Sequence, residues 1–156
     1  MQIRIIAVGQ RLPGWINQGV EEYQKRFPRE LKLSLTEIQA GRRSKSGNVE
    51  KAMKEEHQRI LDSLIPGAHL VILDERGRQK TTLELADNLR DWMQDGEDIC
   101  LVIGGADGIH SELKKQAREI WSLSALTLPH GLARVLLMEQ LYRAWTVVNK
   151  HPYHRE

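Results

Sequence analysis

The chain is poor in cysteine and has no long apolar run. Cys100 is the only cysteine among the 156 residues, which excludes a disulfide framework and a zinc site of the usual cysteine spacing. No segment approaches the roughly 20 apolar residues of a membrane-spanning helix. The N-terminal apolar stretch is too short for a signal peptide and lacks a cleavage site. We therefore expect a cytoplasmic protein, with Cys100 as a core residue.

Motifs for several kinds of catalysis are missing as well. The glycine cluster GGADG (104–108) does not fit the dinucleotide fingerprint G-x-G-x-x-G, and no segment matches a Walker A loop. This counts against a nucleotide-linked oxidoreductase. His151 and His154 are three residues apart, but Pro152 between them argues against the helix that such a metal-binding pair would need. No other ligand spacing stands out, so we expect no metal site.

The charge is nearly balanced overall but uneven along the chain. The formal net charge is +2, whereas residues 1–60 contain 12 Lys and Arg against 7 Asp and Glu. The loop AGRRSKSGN (40–48) carries Arg42, Arg43 and Lys45. A basic amino-terminal part is compatible with an anionic partner such as RNA. Solvated side chains on helix faces explain the same charge, and charge alone favours that simpler explanation.

Short apolar runs alternate with amphipathic segments, which predicts an α/β fold with a mostly parallel sheet and helices on both faces. The predicted strands cover residues 3–9, 31–38, 68–77 and 98–108. The predicted helices cover residues 13–26, 49–64, 81–96, 111–120 and 132–149. The third of these helices should bury Leu83, Leu85, Ala86, Leu89, Trp92 and Met93. We find no repeat or linker and expect a single domain over residues 1–156.

The last predicted helix is apolar on more than one side. The apolar band consists of Leu132, Val135, Leu136, Met138, Leu141, Ala144, Trp145 and Val148. One face of this helix can pack on its own sheet, and a monomer would rarely leave the remaining apolar surface in water. The pattern therefore predicts a second subunit.

An uncharged stretch, WSLSALTLPHG (121–131), precedes this helix. The ten positions 120–129 carry no charge and mix leucines with Ser122, Ser124 and Thr127. In open α/β sheets, ligands bind beyond the carboxyl ends of the strands. Residues 73–74, the glycine cluster and this stretch all follow apolar runs, which predicts a ligand pocket, although a tight turn explains the glycines equally well. His130 could cap the helix or face the pocket.

Several motifs resemble one enzyme family. LVIGGADG, WSLSALTLPHGLARVLLMEQLYRAW and NKHPYHRE are similar to segments of the small bacterial ribosomal RNA large-subunit methyltransferase H family, of the knotted SPOUT class. AVGQRLPGW, EYQKRFP and EIQAGRR resemble the same family, so the resemblance spans essentially the whole chain. It implies a trefoil knot near the C-terminus whose loops bind S-adenosylmethionine. The residues implied to bind this cofactor are Leu73, Gly104, Leu123, Ser124, Ala125, Leu126, Thr127 and Leu128.

The resemblance also implies a reaction and a substrate. Family members transfer a methyl group to N3 of pseudouridine 1915 in 23S rRNA, as homodimers acting on the assembled ribosome. The candidate catalytic residues, which would hold the target nucleotide, are Arg143, Tyr153, His154 and Arg155. The tail of one subunit could complete the site of the other. The alternative is a non-enzymatic ribosome-binding or assembly factor, which would need no S-adenosylmethionine.

Overall fold

The computed structural model describes residues 1–43 and 47–154. Lys45 of the basic loop and Arg155 of the tail lie outside the described residues. The strands are β1 (Gln2–Val8), β2 (Lys32–Ile38), β3 (His69–Gln79), β4 (Ile99–Ile103) and β5 (Glu119–Ser122). The helices are α1 (Gly14–Gln24), α2 (Val49–Ser63), α3 (Thr82–Asp95), α4 (Ser111–Gln116) and α5 (His130–Val148). A short 3₁₀ helix covers Pro152–His154.

The five strands form one parallel sheet in the order β2-β1-β4-β3-β5. Leu73 of β3 is the register partner of both Ile103 in β4 and Trp121 in β5. Leu73, Ile103 and Trp121 therefore lie at the same level, toward the carboxyl edge of the sheet. This confirms the predicted α/β class and brings together the three segments that were expected to meet.

Two apolar layers cover the two faces of the sheet. One contains Val20 of α1, Leu89 of α3 and Leu137 of α5. The other contains Ile60 of α2 and Leu113 of α4. Side chains alternate between the two faces along a strand, so neighbours such as Ile5 and Ile6 pack in different layers. The predicted helices on both faces are confirmed.

Most predicted helix boundaries agree with the structure because local capping signals set them. Thr81 is the N-cap of α3 and forms a capping box with Glu84, in which each side chain accepts from the other residue's backbone N–H. Asn48 caps α2 by accepting from the N–H of Lys51 at 3.1 Å. Cys100 is fully buried in β4, as expected, and burial raises the pKa of its thiol.

Three expectations about the elements were wrong. Residues 119–122 form strand β5 and not the end of a helix, because they pair with β3. Strand β3 continues to Gln79, with an irregularity in its pairing between Leu73 and Arg78. Leu83 and Met93 are 66 % and 37 % exposed, since α3 packs through Leu85, Ala86, Leu89 and Trp92. Within the described residues, we find no helix with the length and apolarity to cross a membrane.

Candidate functional site

A cavity of about 850 Å³ lies at the carboxyl edge of the sheet. Its walls come from the middle of β3, from the ends of β4 and β5 with the segments that follow them, from α4 and from the start of α5. The lining residues are Leu73, Asp74, Glu75, Arg76, Ile103, Gly104, Gly105, Ala106, Asp107, Gly108, Lys114, Ser122, Leu123, Ser124, Leu126, Thr127, Leu128, Pro129, His130 and Ala133. This volume is within the range of small-molecule sites in proteins.

The glycine loop, residues 104–108, forms one wall. A Cβ atom on Gly104 would lie 2.9 Å from Cδ1 of Ile109 and 3.0 Å from the carbonyl oxygen of Gly108. The N–H of Gly108, whose φ is +81°, donates to the carbonyl of Gly105 at 3.1 Å. The loop thus folds back on itself, and side chains at these positions would block the turn or the cavity.

The uncharged stretch forms the opposite wall. The hydroxyl of Ser122 donates to the carbonyl of Ser124 at 2.8 Å, and the N–H of Leu126 donates to the hydroxyl of Ser124 at 2.9 Å. The two serines therefore satisfy backbone groups of their own loop, while Leu126 remains 75 % exposed. His130 lines the cavity, and the N-cap position of α5 is occupied by Pro129. Of the two roles left open for His130, the structure favours the one facing the pocket.

An ion pair lies in the third wall. The Lys114 ammonium is 2.8 Å from the Asp74 carboxylate, which also accepts from the N–H of Arg76 at 2.8 Å. Burial opposes ionisation of Asp74, but these two hydrogen bonds outweigh it and lower its pKa below the ordinary value. Asp74 therefore keeps its negative charge in the cavity at neutral pH.

Seven of the eight positions expected to bind the cofactor line this cavity; the exception is Ala125, which is exposed. Asp74, Lys114, Asp107 and His130 also line the cavity, but none of them was expected from the sequence to bind the cofactor. Lys114 is on a polar helix and resembles any solvated lysine until α4 is packed beside β3. Asp107 is part of the glycine motif, but the motif does not indicate which group its carboxylate pairs with.

The candidate catalytic residues that the structure describes lie elsewhere. Arg143 donates through Nε to Oε1 of Glu139 at 2.8 Å, and the Tyr153 hydroxyl lies 3.2 Å from the same oxygen. The Arg143 guanidinium is 5.0 Å from the centre of the Tyr153 ring. Nδ1 of His154 is buried and has no hydrogen-bond partner among residues 1–43 and 47–154. The described tail residues therefore pack against α5, and Arg143 and Tyr153 lie together.

Tyr153 is a neutral phenol in this cluster. Burial, followed by a hydrogen bond with Tyr23 and by the charge of Glu139, raises the pKa of its hydroxyl well above the ordinary value. Its ring also contacts Tyr142 edge to face, with 4.8 Å between the ring centroids. Tyr153 can donate a hydrogen bond or stack on a base. At neutral pH it is not a phenolate and so does not act as a general base.

Within one chain, this cluster is remote from the cavity. Ala133 lines the cavity, and Arg143 follows ten residues later on the same helix. At 1.5 Å per residue, the two are about 15 Å apart along the axis of α5. The structure thus brings the predicted cofactor residues together and separates them from the predicted nucleotide-holding residues of the same chain.

Comparison with known proteins shows which family this chain belongs to. The model of the family described as "Predicted SPOUT methyltransferase" matches residues 1–154. Proteins named ribosomal RNA large subunit methyltransferase H from Laribacter hongkongensis and Neisseria meningitidis serogroup C are 52% and 51% identical over 156 residues, the full length of both chains. The chain belongs to the SPOUT methyltransferases, in the ribosomal RNA large subunit methyltransferase H family.

Solved structures of other methylases share the fold of this SPOUT chain. A probable methylase family protein from Haemophilus influenzae Rd KW20 has a TM-score of 0.56 at 17% identity, covering 97% of this chain and 69% of its own. A putative methylase family protein from Neisseria gonorrhoeae also has a TM-score of 0.56, at 15% identity, covering 90% and 81%. Membership of the SPOUT class implies the trefoil knot and confirms that this protein is a methyltransferase.

Proposed function

We propose that this protein transfers a methyl group from S-adenosylmethionine to N3 of a pseudouridine in 23S rRNA. In this proposal it acts as a homodimer on assembled ribosomes in the cytoplasm. The observation that carries it is the cavity of about 850 Å³, in which segments at the carboxyl ends of three adjacent strands meet. The names of the full-length relatives support ribosomal RNA as the acceptor.

The residues present fit S-adenosylmethionine. Leu73, Ile103, Leu123 and Leu128 offer apolar walls for an adenine ring and a methionine chain. Gly104 packs closely against Ile109 and the backbone of Gly108, so only glycine keeps this loop in the conformation that lines the cavity. The Asp74 carboxylate and the Lys114 ammonium, which are paired in the cavity wall, offer an acceptor and donors for the polar groups of the ligand.

When bound, S-adenosylmethionine supplies an electrophilic methyl group to a nucleophile placed in line with its carbon–sulfur bond. The protein's residues must then position the uracil ring, whose N3 loses a proton as the new bond forms. Arg143 is a cation and Tyr153 a neutral phenol, so both can donate hydrogen bonds to the oxygens of the ring. Such bonds stabilise negative charge on the ring, and the proton is released to solvent. Positioning alone is worth up to about 7–11 kcal/mol.

The separation along α5 supports a site shared between two protomers. Within one chain, Arg143 and Tyr153 are too far from the cavity to touch a nucleotide held there. Apolar side chains at the cavity and beside it are also exposed: Leu126, which lines the cavity, is 75 % exposed, and Leu132, next to the lining residue Ala133, is 37 % exposed. A second copy that covers this surface would bury them and could bring its own tail to the cavity.

The first experiment measures transfer of labelled methyl from S-adenosylmethionine to ribosomes that lack the modification, beside separated large subunits and free 23S rRNA. We expect label in the 23S rRNA of whole ribosomes and little in naked RNA. Label in none of the three would refute the proposed acceptor, even if the protein binds S-adenosylmethionine.

A second experiment tests the shared site. A subunit truncated after residue 150 lacks the tail, and a Gly104→Val subunit has a blocked cavity. Each homodimer should be inactive, whereas a mixture should recover activity, because one of the two sites in a heterodimer combines an intact cavity with an intact tail. Absence of recovery in verified heterodimers would contradict the arrangement.

A further inference from the structure

An ionic network behind the cavity wall connects the segment 39–43 to the glycine loop. Nε of Arg43 donates to Oδ2 of Asp107 at 2.6 Å, and its Nη1 donates to Oε2 of Glu56 at 3.1 Å. Asp107 belongs to the cavity wall, whereas Glu56 is on α2. One guanidinium therefore joins α2 to the loop that lines the cavity.

The α2 side of this network is rigid. Glu56 is 3 % exposed and also accepts from the N–H of Gly41 at 2.9 Å. A Cβ on Gly41 would collide with the carbonyl of Ala52, so this segment lies directly against the helix. A buried carboxylate without a partner is costly, which holds Arg43 in place beside Glu56. Its Nε then points to Asp107.

An arginine suits this position because its planar group has donors on separate edges. Arg43 uses one edge for each carboxylate, and the two carboxylates come from different elements. Opposite Arg43, the loop contains three glycines, Gly104, Gly105 and Gly108, whose backbones have wide conformational freedom. Asp107 is the charged side chain of the glycine loop, and Arg43 fixes the loop through its bond to this carboxylate.

We propose that Arg43 is a positioning residue for the methyl donor: by holding Asp107, it keeps the glycine loop in the conformation that forms the donor cavity. This inference rests on the proposed function, since it requires the donor to bind in that cavity. Without the ion pair, donor binding must itself order the loop, so affinity falls. Once the donor is bound the wall is complete, so the rate at saturation should change less.

The test measures the dissociation constant of S-adenosylmethionine by titration calorimetry, together with KM and kcat. The variants are Asp107→Ala, which leaves Nε of Arg43 without its acceptor, Arg43→Met and the double substitution. We expect each single substitution to weaken donor binding about tenfold. The double substitution should bind the donor no more weakly than Arg43→Met, because each single substitution already removes the same ion pair. KM for the donor should rise while kcat stays within about twofold.

Asp107→Ala is the decisive variant because it removes the acceptor of Nε and leaves Glu56 paired with Arg43, so the fold is retained. Arg59→Met is the matched control. Arg59 also anchors the segment 39–43, by donating to the carbonyls of Gln39 and Ala40 at 2.8 and 3.2 Å, but its contacts do not include the glycine loop. Its donor affinity should stay within about twofold of the wild type.

Unchanged donor affinity in folded Asp107→Ala would overturn the inference and leave the proposed function standing. An equal loss in Arg59→Met and Arg43→Met would also overturn it, because the effect would then come from the segment as a whole. A wild-type protein that binds no S-adenosylmethionine would refute the proposed function, and this inference with it.

Discussion

Replacing Arg134 by methionine should destabilise the protein by removing an anchor of α5. Arg134 is 1 % exposed. Its Nη1 donates to Oε2 of Glu37 at 2.8 Å, and its Nη2 donates to the carbonyl of Gly9 at 2.7 Å. These bonds tie the second turn of α5 to the ends of β1 and β2. Methionine has a similar length and volume but no donor, so the substitution removes the bonds with little change in packing.

The magnitude depends on what each former partner does afterwards. Breaking a buried ion pair costs about 3–5 kcal/mol when the remaining charge stays buried. The Glu37 side chain is 38 % exposed and can be hydrated again, which reduces the loss. The carbonyl of Gly9 loses its donor at a cost of about 1–3 kcal/mol. Nε of Arg134 has no partner in the described chain, so removing it gives a small gain. We expect a net loss of about 2–3 kcal/mol.

Urea denaturation followed by circular dichroism measures this loss as a lower midpoint at unchanged slope. Glu37→Gln should cost about 1 kcal/mol or less, because its amide oxygen still accepts from Arg134. Arg90→Met is the control, since Arg90 pairs with Asp87 at the surface, and should change stability by less than about 0.5 kcal/mol. A loss in Arg134→Met no larger than in Arg90→Met would refute the reasoning.

Three further predictions concern the glycine loop, a helix cap and a histidine. Gly104→Ala should weaken S-adenosylmethionine binding at least about tenfold in calorimetry, because its Cβ would meet backbone; Gly14→Ala, with open space around it, is the control and should bind normally. Thr81→Ala should lower the free energy of unfolding in urea by about 1 kcal/mol through loss of the α3 cap. His57 stacks on His110 at 4.8 Å, and burial, followed by the charge of His110, lowers its pKa. The unfolded state then binds more protons, so stability falls as pH drops below about 6.5. His57→Gln should therefore flatten the dependence of the urea midpoint on pH in that range. An unchanged pH dependence would contradict this prediction.

Much of the fold could be predicted because its signals are local. Apolar periodicity and caps such as Asn48 and Thr81 depend on residues within a turn or two of each other. They were sufficient for four of the five strands that the structure describes and for the parallel α/β arrangement. Strand β5 was missed because its four residues mix polar and apolar types, and their strand hydrogen bonds come from β3, some 48 residues earlier.

The family motifs predicted most of the residues that line the cavity but not the ion pairs in its walls. Leu73, Gly104 and residues 123–128 could be assigned by resemblance, and Gly104 and residues 123–128 lie within contiguous motifs. Lys114 and Asp107 received no role, because their partners Asp74 and Arg43 are 40 and 64 residues away. Sequence spacing contains no information about such pairs.

The sequence by itself determined the class of protein, the order of most elements and the three segments that form the cavity. Only the tertiary structure decided which charges meet. Arg134 and Glu37 are 97 residues apart, and their bond exists because α5 lies against the ends of β1 and β2. The same packing put Arg143 and Tyr153 at the far end of α5 from the cavity. Helix and strand formation depend on neighbours along the chain, whereas ion pairs and cavities depend on how the elements pack.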